Sequence, residues 1–153
     1  MTEVRTELAF EDFTAGRVFD LGTVGVDRDE MVGFASLYDP QPVHLDDAAA
    51  ARNPLVGKLC ASGLFVAALW SRAFAEQVLN RSTALSCPGA NNVSWPAPVF
   101  AGDELAIRGG VLSSRLSKAQ PGVGLVDVLA TLHRDDHCVY RAQFALLLGL
   151  ADH

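Results

Sequence analysis

The chain has 153 residues, half of them apolar, with a formal net charge of −6 and a pI near 5.0. That is room for one ordinary domain with a real core, residues 1–153. It excludes a general nucleic-acid surface, which needs clustered Lys and Arg.

Cys60, Cys87 and Cys138 are odd in number and far apart, without a Cys-x-x-Cys spacing, so no disulfide framework is expected. Met1 to Glu11 mixes charged and apolar residues without the basic-then-apolar order of a signal peptide. The longest apolar run, Leu59 to Trp70, falls short of the roughly 20 residues of a membrane span. The expectation is a soluble, reduced, cytoplasmic protein with no membrane partner.

After a short leader, Arg17 to Val26 carries Val18, Phe19, Leu21, Val24 and Val26 with Gly22 and Gly25, a strand that bends or lies against another backbone. Asp27 with Glu30 three residues on forms a capping-box pattern. Met31, Phe34, Ala35 and Tyr38 then mark one apolar helix face, which Pro40 stops at Asp39. A second short helix is predicted from His44-Leu45-Asp46-Asp47-Ala48 to near Asn53-Pro54, followed by a turn at Gly57.

From Leu59 to Trp70 the pattern is apolar on nearly every face, as for a helix surrounded by protein. Ser62 to Asn80 makes a helix about 30 Å long, with Arg72, Glu76 and Asn80 emerging into water at its far end. After Leu85 the prolines and glycines exclude another long helix, and strands fill the remainder. Alternation marks three of them, around Leu105 to Val111, Val126 to Leu132 and Tyr140 to Leu146, with turns at Gln120-Pro121-Gly122 and Arg134-Asp135-Asp136. The class is α+β, an antiparallel sheet enclosing one long apolar helix.

Three places offer chemistry. Asp39 sits at the negative end of a helix dipole, where a carboxylate is disfavoured; it reads either as a functional group or as a turn cap before Pro40. His44 follows across a segment stiffened by Pro40 and Pro42, which holds imidazole and carboxylate at a reproducible separation; a helix-opening or surface histidine is the alternative. Asp46 and Asp47 read as helix-start charges. Ser62-Gly63 opens the long helix, where backbone N–H groups lack internal partners and Gly63 carries no side chain to block a ligand. Ser62 as a plain N-cap and Gly63 as a close-packing residue is the other reading.

His133 and His137 flank a turn without a third ligand, so no metal site is expected. No phosphate loop or nucleophile elbow is present.

The stretches Asp39-Pro-Gln-Pro-Val-His44-Leu-Asp46, Gly57 with Ala61-Ser62-Gly63, and Trp95-Pro-Ala-Pro-Val-Phe-Ala-Gly102-Asp103-Glu-Leu105 together resemble the MaoC-like dehydratases of the hot-dog superfamily, which include the (R)-specific enoyl-CoA hydratases. The resemblance implies a hot-dog fold, with Asp39 and His44 as the catalytic pair that holds and activates a water. It implies that Gly63 N–H polarises a thioester carbonyl, with Ser62 and Gly57 at the same substrate-binding pocket.

By the same resemblance no cofactor is needed beyond the substrate's own carrier, coenzyme A or acyl carrier protein, and the chain joins sheets in a homodimer or with a hot-dog partner subunit. Gln41 stands where the family often has Asn, and Ser62 where it often has His. A hot-dog thioesterase and a noncatalytic subunit of a heterodimeric dehydratase are the rival readings. Lys58, Arg115 and Lys118 are candidates for carrier phosphates, though solvated surface charge is the better reading of them.

Overall fold

The computed structural model describes residues 7–151; the first half of the leader and the last two residues lie outside it. Five strands form one antiparallel sheet in the order β1-β3-β4-β5-β2: β1 Val18–Gly25, β2 Ala84–Ser94, β3 Glu104–Leu116, β4 Val123–Arg134 and β5 His137–Gly149. Four helices, α1 Arg28–Tyr38, α2 Pro42–Leu45, α3 Asp47–Ala51 and α4 Gly63–Gln77, occupy the stretch between β1 and β2. The sheet wraps α4, the hot-dog arrangement.

β1 turns Phe19 and Leu21 inward and bends as expected: its pairing with β3 shifts between Asp20 and Thr23, where Gly22 takes φ 81°, a conformation that favours glycine. Asp27 caps α1 by accepting the Glu30 N–H, but Glu30 reaches Arg72 instead of closing the box. Met31 and Ala35 are buried as predicted, whereas Tyr38, at the end of the same stripe, lies out on Phe34 and stays exposed.

The single helix expected to open at His44 is two helices. Pro42 starts α2 with its ready-made φ. Asp46 is extended and caps α3 through the Ala48 N–H, so His44 lies in the last turn of α2.

The central helix is shorter than predicted. α4 ends at Gln77, Val78 leaves helical geometry, and a 3₁₀ turn at Leu79–Arg81 follows; 15 residues span about 22 Å. Nor is it enclosed all round. Phe65, Val66, Leu69, Trp70, Ala73 and Phe74 are buried, but Leu64 is 52% exposed on the open flank. Trp70 stacks on both Phe74 and Phe144, and its Nε1–H donates to Arg108 O at 2.8 Å, joining helix to sheet.

Both predicted turns are present, each closing a hairpin, with Gly122 and Asp135 at positive φ. The strand that periodicity did not mark is β2. It is one of the sheet's two edges, exposed along nearly its whole length, with pairing shifts on both sides of Pro88.

Candidate active site

The site forms where three backbone segments are tied together. Cys60 N–H donates to Val43 O, and Ala61 N–H donates to Val99 O, which inserts residues 60–63 between α2 and the stretch that precedes β3. That stretch is braced by Asp103, whose carboxylate accepts the Phe100 N–H and the Arg134 guanidinium; Arg134 also donates to Pro98 O. The Gly102-Asp103 part of the third motif is therefore a fastening of the frame.

Asp39 is the residue at which α1 stops. Its backbone N–H still closes onto Ala35 O, and its side chain turns toward α4. Oδ1 accepts Gln41 Nε2–H at 2.7 Å, Oδ2 accepts the Ser62 hydroxyl at 2.6 Å, and Oδ2 lies 3.5 Å from His44 Nε2. The Ser62 hydroxyl, then Gln41, hold the carboxyl below the usual carboxylate range; burial opposes them, and His44 adds to them.

His44 is buried, with Nδ1 2.8 Å from Cys60 O. A carbonyl only accepts, so Nδ1 carries the hydrogen, and in the neutral ring Nε2 presents its lone pair toward Asp39. Two acceptors at 3.5 Å make no hydrogen bond, and a donor shared between them satisfies both. Water is such a donor. Cys60 Sγ stands 3.6 Å from Nδ1, and burial pushes its thiol pKa up, keeping it protonated.

Gly63 begins α4, and among the described residues nothing accepts its N–H. The space where its side chain would be is not open, however. The Trp95 indole lies on it, and a Cβ would come within 2.8 Å of Trp95 Cε2. Gly63 is thus both the close-packing residue and the owner of an unpaired donor. Trp95 rests on Tyr140 and is 42% exposed, so it forms a wall of the site that can be reached from solvent.

The other predicted residues divide. Ser62 is within the site but fully buried, bonded to Asp39 and Leu64. Gly57, at φ 78°, shapes the loop before it, and no bond joins it to Asp39, His44 or Ser62 among the described residues. Lys58 lies over the Phe100 ring near the site. Arg115 and Lys118 are exposed at the far end of β3, about 35 Å of strand from Glu104. No group of three metal-ligating side chains occurs among the described residues.

Residue reading missed the contact of Trp95 with Gly63 and the anchoring of His44 by Cys60 O. Trp95 stood in a motif without a stated task, and a backbone carbonyl leaves no mark in sequence.

The model of the MaoC-like domain matches residues 12–133. The chain belongs to this family. A solved MaoC-like dehydratase from Rhodospirillum rubrum superposes with a TM-score of 0.87 at 30% identity, covering 95% of this chain and 99% of that one. The unliganded R-hydratase PhaJ1 from Pseudomonas aeruginosa gives 0.72 at 22% identity, covering 95% and 88%. The uncharacterized protein YdeM of Bacillus subtilis (strain 168) is 25% identical over 141 residues, 92% of this MaoC-like chain and 99% of that one. No described helix is long and apolar enough to cross a membrane.

Proposed function

We propose that this MaoC-like protein is an acyl-thioester hydratase or dehydratase that interconverts trans-2-enoyl and (R)-3-hydroxyacyl thioesters. One arrangement carries the reading. A water seated beside the Asp39–His44 pair can donate one hydrogen to Oδ2 and the other to Nε2, and an N–H that is unpaired among the described residues stands on the adjoining helix turn, at Gly63. A water held by the pair gives a proton to His44 Nε2 while its oxygen attacks Cβ. The C=C electrons move through Cα onto the thioester oxygen, where Gly63 N–H receives the developing charge, and the imidazolium then returns the proton to Cα. One proton is taken and one is given back, and dehydration is the same path reversed.

Proton transfer of this kind contributes about 100- to 10,000-fold, and one oxyanion donor about 3 kcal/mol. Asp39, held ionised, stabilises the imidazolium. An apolar cavity of about 210 Å³ lies farther along α4, against Trp70, Phe74, Phe144 and Leu146, and we assign it to the acyl tail. The carrier is coenzyme A or acyl carrier protein. The partner is a second copy joined at the edge of β2, whose exposed Leu85 and Val93 suit a covered surface better than an open one.

The test is loss of conjugated-thioester absorbance with a trans-2-enoyl-CoA, with product stereochemistry read alongside. Wild type should hydrate to the (R)-3-hydroxy product, and folded Asp39→Asn and His44→Ala variants should lose at least about 100-fold in kcat. Release of free thiol without hydration would instead identify a thioesterase. Inactivity alone, with activity on adding a second hot-dog chain, would identify a partner subunit.

A further inference from the structure

Ser62 joins the two halves of the site. It precedes α4, has no exposed surface, accepts the Leu64 N–H at 3.2 Å and lies 2.6 Å from Asp39 Oδ2. The backbone N–H only donates and the ionised carboxylate only accepts, so the hydroxyl hydrogen is committed to Asp39. With Gln41 on Oδ1, both carboxylate oxygens are held by side-chain donors, from two different segments.

We propose that Ser62 is a positioning residue and not part of the substrate wall: its hydroxyl locks the Asp39 carboxylate to the first turn of α4, so that the carboxylate facing His44 and the Gly63 N–H move as one body. The inference rests on the hydratase reading and adds to it. Water is aligned by Asp39 and the electrophile by Gly63, and their separation sets the attack geometry, where a displacement of about 1 Å costs on the order of 100-fold in rate. A hydroxyl shared by the helix start and the carboxylate makes that separation a property of one turn of backbone.

The lock also divides the labour of the pair. A carboxylate with both oxygens engaged by donors is a weak base, which leaves His44 Nε2 as the group that exchanges protons. The groups facing Asp39 are Ser62 from the cap of α4, Gln41 from its own segment and His44 from α2; of these only His44 is ionisable. The Cys60 thiol stands behind the imidazole, on the Nδ1 side.

The experiment compares Ser62→Gly with Ser62→Ala in the full chain. Glycine keeps most of a helix cap and alanine does not, but both remove the hydroxyl. The Asp39 carboxyl is titrated by carbon NMR, with its resonance assigned by Asp39→Asn. The expected result is an upward move of the Asp39 midpoint in both variants, with kcat on a trans-2-enoyl-CoA lowered about 100-fold and KM within about 3-fold of wild type. An unmoved midpoint in both folded variants overturns the proposal, as does a raised KM at unchanged kcat, which would return Ser62 to the substrate wall. A wild type that shows the clamped carboxyl but no hydration of any enoyl thioester would sink the hydratase reading and leave the clamp standing.

Discussion

At the scale of single residues, the site depends on a side chain that is missing. Gly63 has ordinary helical backbone, so its identity is explained by Trp95, whose indole occupies the volume a methyl group would need. Gly63→Ala must therefore push back either the indole or the helix start. The cost should be about 1–3 kcal/mol, the usual penalty for overpacking, measured by urea unfolding. Because one ring is responsible, the double variant Gly63→Ala, Trp95→Leu should recover most of that loss relative to Trp95→Leu alone. Simple additivity of the two changes would show that the clash lies elsewhere.

At the scale of elements, α4 is held by a run of aromatic rings: Phe13 on Phe19, Phe19 edge-on to Phe74, Phe74 stacked on Trp70, and Trp70 on Phe144. The run links β1, α4 and β5, so Phe74→Ala removes its middle. The loss should be about 3–5 kcal/mol in chemical denaturation with an unchanged m value, while Phe74→Leu, which leaves a smaller gap, should lose less. A loss below about 1 kcal/mol would mean that the ring is not central to the core.

The same elements show what sequence can and cannot reveal. β3, β4 and β5 were legible because each alternates a buried with a less buried face. β2 has almost no buried face, so it has no period to read, and Pro88 is tolerated because the strand lies at the edge. The end of α4 was overestimated because Val78, Leu79 and Arg81 are acceptable in a helix, and only tertiary packing, with Val78 fully buried, draws the chain away. The pair Asp39 and His44 was legible from its proline-stiffened spacing; the Ser62 link was not, since it joins positions 23 apart.

For the whole molecule, a second copy joined at the open edge of β2, as proposed, would cover the exposed Leu85 and Val93. Val93→Lys, on that edge, should convert a dimer to a monomer in light scattering, and a wild type already monomeric at high concentration would reject the pairing.

The balance between folded and unfolded states should also depend on pH at both extremes, through groups near the site. Asp39 has a folded pKa below its ordinary 3.8, so the unfolded chain binds more protons between the two values. Its stabilising contribution is present above the ordinary value and disappears as pH falls through the folded one. Cys60 and Tyr140 act oppositely. Burial raises both above their ordinary 9.0 and 10.0, so the unfolded chain ionises first; their contribution is full below those values and is lost as pH rises through the raised ones.

Thermal unfolding followed across pH should then fall away on both sides. Asp39→Asn should flatten the acid side, because the variant has no carboxyl to protonate at that position. Cys60→Ala should flatten part of the alkaline side and leave the acid side as in wild type. An acid side identical in wild type and Asp39→Asn would mean that Asp39 titrates alike in the folded and unfolded chains, contrary to a carboxylate held by Ser62 and Gln41.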